Sequence, residues 1–348
     1  MASPAEWEQA ARAALPADVY DYIATGSGVE ETLAGNDRAW HEVALRPRVL
    51  RDVSDVETAT SVLGTPVASP VLVAPTGYHR LAHPDGEVAT AKGTAEAGSL
   101  FVLSTRATAS LDEVAAVAGP WWMQHYLLRD RDLTAEIVRG AVDAGARALV
   151  LTADTPYVAT KARVGAVPVG PSVPRLVPAM ETRDDEGTWQ DPAVTFKDIG
   201  WLRELSGGLP VVVKGVLRGD DARACVDAGA AAVWVSNHGA RQLDGAIPTA
   251  VALPQVRAAV GEACEVYVDG GIRTGRDVVR ALALGATAAF VGRPALWALG
   301  TGGADGVREL LTSLQAEVAE TLALCGCRSV SDVNADLAAV PPGRAMRG

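Results

Sequence analysis

The sequence predicts an α/β protein in which eight parallel strands alternate with helices and close into a (β/α)8 TIM barrel. Three observations predict this fold: helices that end at glycine, an apolar run after each of these ends, and a total of eight such runs. The helix ends recur at residues 96–98, 143–146, 227–230 and 284–286. Glycine readily adopts the left-handed conformation that ends a helix, and a continuous apolar run is typical of a parallel strand covered on both faces. Each repeat is therefore one unit of a barrel.

The remaining elements follow in order along the chain. About 65 residues precede the first strand, so we expect an N-terminal helical cap over 1–65. Residues 155–195, rich in proline and glycine, are predicted to form a long, lid-like insertion after the fourth strand. We expect residues 1–348 to form one domain. The eight strands are predicted at 70–74, 100–104, 121–124, 148–152, 210–214, 232–236, 265–269 and 288–292.

Charge and composition exclude several classes of partner. Lysine and arginine number 31 against 42 aspartate and glutamate, a net charge of -11, which argues against nucleic acid as a partner. The first residues lack the basic and apolar regions of a secretory signal. No apolar window reaches the roughly 18 residues of a membrane helix, since Arg293 interrupts the best one. We therefore expect a cytoplasmic protein with no membrane segment.

The four cysteines show no spacing typical of a metal site. Cys225 and Cys264 are predicted to be buried thiols. The run Cys325-Gly326-Cys327 is predicted to end the last long helix with two reduced thiols. We therefore expect no metal.

Polar or glycine-rich residues follow every predicted strand. Barrel enzymes carry their active sites at the carboxyl ends of the strands, so these positions are the candidate site. One or two such ends would be ordinary turns, but eight exceed what turns require. They are 75–77, 104–105, 124–126, 152–154, 214–215, 236–238, 269–271 and 292–293.

The last two strand ends predict a phosphate site. In the run 269–275, DGGIRTG, glycine leaves the backbone N–H groups open to an anion, and Arg273 and Arg293 add positive charge. Lys214 ends an apolar strand and would be costly to bury without a partner. Two interpretations of Lys214 stay open: a cation beside a flavin ring, or an ion pair with a carboxylate inside the barrel.

The run 236–242, SNHGARQ, places a base three residues from an anion-binding cation. Neutral His238 can accept a proton near pH 7, and Arg241 can bind a carboxylate through two parallel hydrogen bonds. The pair suits a substrate whose carboxylate adjoins a carbon with a removable proton. The alternative is a polar turn after a core strand.

These motifs occur in one order over nearly the whole chain, and with them the sequence resembles the FMN-dependent α-hydroxy acid oxidase and dehydrogenase family. Glycolate oxidase, lactate oxidase and mandelate dehydrogenase belong to this family. The matching runs are 19–22, 74–77, 83–87, 124–126, 152–156, 213–215, 236–242, 269–275, 281–286 and 291–294.

The resemblance implies a role for each site residue. His238 would be the catalytic base, and Asp154 would stabilise its protonated form. Substrate would be bound by Tyr22, Tyr126, Lys161 and Arg241. The resemblance implies that FMN is held by Pro75, Thr76, Gly77, Ser104, Gln124, Thr152, Lys214, Ser236, Asp269, Gly271, Arg273, Gly292 and Arg293.

The implied reaction is oxidation of a small L-2-hydroxy acid to the 2-keto acid, with electrons passing to FMN and then to oxygen or another acceptor. The resemblance also implies a homo-oligomer, a tetramer or octamer. Two alternatives stay open: an FMN-binding barrel with non-redox, isomerase-type chemistry, and a flavin-binding protein without catalysis. The first has no need for the His238 and Arg241 pair, and the altered region at Lys161 is the only feature that favours the second.

Four positions depart from the family pattern. Lys161 stands where the family has the second arginine of a Gly-Arg-Arg run, and in the family that arginine reaches the substrate carboxylate. Lysine keeps the positive charge but cannot form the two parallel hydrogen bonds of a guanidinium. Gly77 replaces an alanine next to the expected flavin face. Arg106 occupies a position that is aromatic in some relatives, and His125 one that is often leucine. We expect His125 to face the core.

Overall fold

Eight parallel strands close into a barrel in the computed structural model, which describes residues 3–163, 176–181 and 186–339. The predicted fold class is confirmed. Helices separate the strands, and the order around the barrel follows the chain order. The strands are β4 Val71–Val73, β5 Phe101–Ser104, β6 Trp121–His125, β7 Leu149–Thr152, β8 Val211–Val216, β9 Ala232–Val235, β10 Glu265–Val268 and β11 Ala288–Val291.

The helices cover the barrel and its N-terminal extension, and within the described residues four short strands pair outside the barrel. The helices are α1 Pro4–Ala14, α2 Ala17–Ala24, α3 Glu31–Glu42, α4 Gly86–Glu96, α5 Leu111–Ala115, α6 Arg131–Asp143, α7 Lys197–Leu205, α8 Gly219–Asp227, α9 Thr249–Val260, α10 Gly275–Ala283 and α11 Arg293–Leu324. The short strands are β1 Ala44–Leu45, which pairs with β12 Ala338–Ala339, and β2 Thr60–Val62, which pairs with β3 Thr65–Val67. None of the helices in the described ranges is long and apolar enough to cross a membrane.

The inside of the barrel is filled by aromatic and aliphatic side chains. Trp234 and Phe290 lie with ring centroids 3.8 Å apart, and Tyr267 packs edge-on against both. At the amino ends of the strands, Glu265 accepts hydrogen bonds from the Tyr267 hydroxyl at 2.5 Å and from the Leu63 backbone at 3.0 Å. The β2–β3 hairpin therefore closes this end, and the carboxyl ends of the strands remain for a site.

The cap is joined to the carboxyl ends of the strands by buried polar contacts. The side-chain amides of Asn36 and Asn237 exchange two hydrogen bonds, at 2.9 and 2.8 Å. The Trp40 indole donates to the Gly270 carbonyl at 2.7 Å. A buried donor needs such a partner, so these contacts fix the cap over the strand ends.

The predicted long insertion follows β7. Its described parts are residues 155–163, 176–181 and 186–195, and the proline- and glycine-rich run 167–171 lies outside the described residues. At the other end of the chain, Gly326 has a φ of +73° directly after the C-cap residue Cys325, which confirms the predicted helix end. The cysteines are free thiols.

Candidate active site

A cleft of about 1140 Å³ opens at the carboxyl ends of the barrel strands. It brings together 15 of the 19 predicted site residues. The other four lie behind the cleft wall. Asp154, Gln124 and Ser236 contact residues that line the cleft, and Thr152 accepts a hydrogen bond from Gln124. The predicted residues that line the cleft are Tyr22, Pro75, Thr76, Gly77, Ser104, Tyr126, Lys161, Lys214, His238, Arg241, Asp269, Gly271, Arg273, Gly292 and Arg293.

The loop after β9 holds His238 in an unusual backbone conformation. His238, Gly239 and Ala240 have φ values of +59°, +60° and +62°, so three successive residues lie in the left-handed region. Only glycine adopts this region readily, and each other residue costs about 1–2 kcal/mol there. Such strain persists where the surroundings enforce it, and it is concentrated at functional sites.

Hydrogen bonds fix both the orientation and the tautomer of the His238 ring. Its Nδ1 donates to Asp154 Oδ1 at 2.9 Å, with Thr155 Oγ1 at 3.3 Å from the same nitrogen. Its Nε2 lies 3.3 Å from the Tyr126 hydroxyl, so that hydroxyl donates to the free lone pair. The Ser236 hydroxyl accepts from the His238 backbone at 3.0 Å. The basic nitrogen therefore faces the cleft.

Asp154 is ionised behind the histidine. Burial alone would raise the pKa of its carboxyl group, but His238 and Lys214 hold that pKa below its usual value. The approach is close because β8 carries Gly215, with a φ of +102°; a Cβ atom there would lie 2.5 Å from the Asp154 Cβ. Asp154 and His238 are therefore in direct contact.

Two tyrosines complete the wall beside His238. Burial raises the pKa of both Tyr22 and Tyr126, so their hydroxyls stay protonated and can donate hydrogen bonds near neutral pH. The Arg241 guanidinium lies 4.9 Å from the centroid of the Tyr22 ring. These groups converge as the sequence predicts.

Arg241 is anchored through one side of its guanidinium. Its Nη1 donates to the backbone carbonyls of Tyr22, at 2.8 Å, and Thr25, at 3.0 Å. Lys161 donates through Nζ to the carbonyls of Ala159 and Arg241. Burial, followed by the charges of Arg241 and Arg293, lowers the pKa of Lys161 to about 8. Both cations therefore reach the same part of the cleft.

Lys214 has a carboxylate partner. Its Nζ lies 3.2 Å from Asp269 Oδ2 and donates to Ser236 Oγ at 2.9 Å, while Ser236 donates to Asp269 at 2.6 Å. Lys214 also lines the cleft. The ion pair with a carboxylate, one of the two interpretations of Lys214, is therefore present. Because Lys214 also faces the cleft, a flavin bound there could still contact it.

The Gln124 side chain organises a second buried network. Its Oε1 accepts from the Ser104 hydroxyl and the Thr105 backbone, both at 3.1 Å. Its Nε2 donates to Thr152 Oγ1 at 2.9 Å. The network fixes the hydroxyl of Ser104, which lines the cleft.

The ends of β10 and β11 form an anion site. Gly270 and Gly271 have φ values of +85° and +86°, and a Cβ atom at Gly271 would lie 2.8 Å from Trp40, so glycine is required there. Helix α11 begins after Gly292 with no side chain capping its N-terminus. Exposed N–H groups at a helix start bind anions.

Two arginines add positive charge to this anion site. Arg273 and Arg293 both line the cleft. Burial, with the charges of Arg241 and Arg273, lowers the pKa of Arg293 to about 9, so these cations repel one another. Arg293 also donates to the carbonyls of Ile23, Thr25 and Gly239. Crowded cations beside a bare glycine loop fit the phosphate of FMN.

Sequence reasoning missed several residues that support the site. Gln242 donates to the carbonyls of Asp154, at 3.1 Å, and Tyr157, at 2.8 Å, and so ties the start of the insertion to the catalytic loop. Asn36 holds Asn237, and Thr155 contacts His238. Gln242 and Asn237 belong to the SNHGARQ run, which is the only signal that could have found them. Asn36 lies in the cap with no such signal.

Two of the positions that depart from the family pattern, His125 and Gly77, lie in different surroundings. His125 is fully buried, and neither ring nitrogen has a partner among the described residues; burial lowers its pKa to about 3, so it is neutral. The prediction that it faces the core is confirmed. Gly77 lines the cleft, and a Cβ atom there would lie 2.7 Å from the Cβ of Arg106.

Comparisons with known proteins agree with this geometry. The chain matches the FMN-dependent dehydrogenase family over residues 11–340. It is 42% identical to a 4-hydroxymandelate oxidase from Amycolatopsis orientalis, covering 94% of this chain and 95% of that one. It is 43% identical to an L-lactate oxidase from a Nostoc species, with the same shares covered. A solved structure of mandelate oxidase superposes with a TM-score of 0.91 at 43% identity, covering 99% of both chains. The chain therefore belongs to the FMN-dependent dehydrogenase family.

Proposed function

We propose that this chain oxidises a small (S)-2-hydroxy acid, the L form, to the corresponding 2-keto acid with FMN as cofactor and oxygen as the final electron acceptor. The observation that carries the proposal is the His238 Nε2 lone pair, which faces the cleft with Asp154 behind it and Arg241 three residues away. The names of the curated relatives, which include 4-hydroxymandelate oxidase and L-lactate oxidase, support it.

The cleft would hold FMN at the anion site and beside Lys214. The bare loop at Gly271, with Arg273, Arg293 and the N-terminus of α11 at Gly292, suits the phosphate. Lys214 and the Gln124 network suit the polar edge of the ring. Once bound, FMN supplies the redox chemistry by accepting the two electrons that leave the substrate carbon. The proposed FMN residues are Pro75, Thr76, Gly77, Ser104, Gln124, Thr152, Lys214, Ser236, Asp269, Gly271, Arg273, Gly292 and Arg293.

Arg241, Lys161, Tyr22 and Tyr126 would bind and orient the substrate. Arg241 uses Nη1 for backbone carbonyls, so its other donors are available for the carboxylate. The Tyr22 and Tyr126 hydroxyls stay protonated. Tyr22 would donate to a substrate oxygen, and Tyr126 would do so by turning its proton away from His238 Nε2. These contacts would hold the reactive carbon beside His238, which lowers the entropic cost of reaching the transition state.

His238 would act as the base. Its Nε2 would take one proton from the 2-hydroxy acid, from carbon or from the hydroxyl. Asp154 then faces a positively charged ring at 2.9 Å and stabilises it. Both alternatives, a non-redox FMN barrel and a flavin-binding protein without catalysis, lack a use for this arrangement.

Flavin bleaching tests the proposal. The purified yellow protein is mixed anaerobically with a series of small and aromatic (S)-2-hydroxy acids. We expect at least one acid to bleach the flavin, and oxygen to restore the colour with formation of hydrogen peroxide. Bleaching by none would reject oxidation; bleaching that oxygen does not reverse would reject oxygen as acceptor.

The proposal extends to assembly and compartment. A homotetramer or octamer is supported by apolar side chains that stay exposed on the single chain, such as Leu50 and Leu243. The free cysteines support a reducing, cytoplasmic compartment. Sedimentation velocity on the holoenzyme, against the 36.0 kDa of one chain, and fractionation of the source cells test the two statements.

A further inference from the structure

Arg106 is one of three cleft arginines, with Arg241 and Arg293, that have no carboxylate partner among the described residues. Arg106 follows β5, is partly buried and lines the cleft. Its Nη2 donates to the Thr188 carbonyl at 2.9 Å and to Gln190 Oε1 at 3.3 Å, which are neutral groups of the insertion. Within the described ranges, its Nε and Nη1 make no hydrogen bond and no carboxylate lies within ion-pair distance. A partly buried cation of this kind favours an anion from outside.

The backbone of Arg106 is fixed where it faces the predicted substrate site. Its carbonyl accepts from the Tyr78 backbone at 3.0 Å, and its own N–H donates to Ser104 Oγ at 3.1 Å. Gly77, which has no Cβ, leaves room for the Arg106 stem. The chain thus combines a small residue on one loop with a long cation on the next.

The charge of Arg106 acts on the same hydroxyls as the charge of Arg241. Both guanidinium groups partly offset the effect of burial on the pKa of Tyr22 and of Tyr126. Arg106, Arg241 and both tyrosines line the same cleft. A ligand held between the two tyrosines has a cation available for each of two acidic groups.

We propose that Arg106 binds a second acidic group on the substrate, so that the enzyme prefers 2-hydroxy dicarboxylic acids to 2-hydroxy monocarboxylic acids of equal chain length. The inference rests on the proposed function, because it names the substrate class of the same site. The first carboxylate contacts Arg241 and the second contacts the unused Nε and Nη1 donors of Arg106. Hydrogen bonds to charged groups of this kind correspond to about a tenfold to hundredfold preference.

Matched substrate pairs test the inference. Holoenzyme is mixed anaerobically with (S)-2-hydroxysuccinate or (S)-2-hydroxybutyrate, and with (S)-2-hydroxyglutarate or (S)-2-hydroxypentanoate, and the rate of flavin bleaching is measured against concentration. We expect the dicarboxylate of each pair to be favoured by about tenfold or more. In Arg106→Met the preference is lost, and Arg106→Lys retains part of it.

Two further measurements separate charge from structure. Gln190→Leu removes one bond between Arg106 and the insertion but keeps the cation, so the preference should remain. Titration of the oxidised holoenzyme with unreactive succinate or butyrate, followed by the flavin spectrum, should show tighter binding of succinate in the wild type only.

The outcomes are distinguishable from failure of the proposed function. Bleaching by monocarboxylates without any preference for dicarboxylates overturns the inference alone. Equal loss on both substrates in Arg106→Met also overturns it, since the residue would then only support the insertion. Bleaching by no hydroxy acid rejects the proposed function, and the inference with it.

Discussion

His238 shows how one residue acquires its chemistry from several parts of the chain. The loop after β9 gives it a left-handed backbone, β7 supplies Asp154 on one side of the ring, and β6 is followed by Tyr126 on the other. Each contact limits the ring to one tautomer and one direction. The result is a base whose Nε2 faces the cleft before any substrate binds, which is the condition for efficient proton transfer.

Replacement of this base gives the first prediction. His238→Asn should purify as a yellow protein, because asparagine is small and the FMN donors are unchanged. Anaerobic flavin reduction by the best 2-hydroxy acid should slow by about 10²–10⁴-fold, the usual contribution of a general base. Stopped-flow bleaching measures it, with the exposed His41→Asn as control. Rapid bleaching in His238→Asn would contradict the assignment.

Lys161 gives a pH-dependence that an arginine would not show. Its pKa is lowered to about 8, so the ammonium is charged below that pH and loses its charge as the pH rises through it. Carboxylate binding should therefore weaken above about pH 8, seen as a rise in KM. Arg stays charged over this range, so Lys161→Arg should move the rise to higher pH. Coincident pH profiles for the two proteins would show that Lys161 does not contact the carboxylate.

At the residue scale, sequence motifs identified the side chains that carry recognisable chemistry. They did not identify side chains whose role depends on where the fold places them. His238, Arg241, Lys214 and Gly271 stand in runs whose chemistry is readable. Asn36 could not be found, because its role depends on a fold that brings the cap onto β9 across about 200 residues. Nor could a pattern indicate that Ala240 adopts a left-handed backbone.

At the scale of elements, the packing of neighbouring strand ends determines where the active-site side chains lie. Strand β8 shifts register against β9 between Lys214 and Val216, and Gly215 at this point leaves space for Asp154 from the end of β7. A bulge of this kind re-aims side chains next to a site. The sequence predicts that this strand ends at 214, because the apolar pattern stops there. The strand continues to Val216 through its pairing with β9, which a local sequence pattern does not indicate.

Gly215→Ala tests this fit. The added methyl would lie 2.5 Å from the Asp154 Cβ, at a φ of +102°, so it should displace Asp154 from His238. We expect a loss of about 1–3 kcal/mol of stability together with a fall in the rate of flavin reduction. Gly145→Ala is the matched control: it has a φ of +89° but open space around its Cβ, so it should lose some stability with an unchanged rate. Similar rates in both variants would mean that Gly215 does not position Asp154.

The strands were predictable as elements because each is a continuous apolar run, buried on both faces. The β2–β3 hairpin and the β1–β12 pair were not, because each strand has only two or three residues. The pairing of β1 with β12 also joins the cap to the far end of the chain. Contacts between such distant segments leave no local pattern in the sequence.

On the scale of the whole molecule, the cleft concentrates positive charge although the net charge of the chain is negative. The chain carries a net charge of -11, yet Arg241, Arg273, Arg293 and Lys161 all line one cleft. Burial first, and then the charges of the neighbouring cations, lowers the pKa values of Lys161 and Arg293. A folded chain that concentrates cations in this way is stabilised by an anion that binds only the folded state.

Removal of FMN should therefore lower the melting temperature, and inorganic phosphate should restore part of it. A ligand at 100 times its Kd adds about 2.7 kcal/mol to the stability of the folded state. Arg273→Gln should reduce the gain from phosphate and weaken FMN binding, because it removes one phosphate contact and relieves repulsion at Arg293. The exposed Arg276→Gln makes the same charge change outside the cleft and should behave as wild type. Calorimetry of the stripped protein, with and without phosphate, measures the effect. An equal gain in Arg273→Gln and wild type would show that the phosphate binds elsewhere.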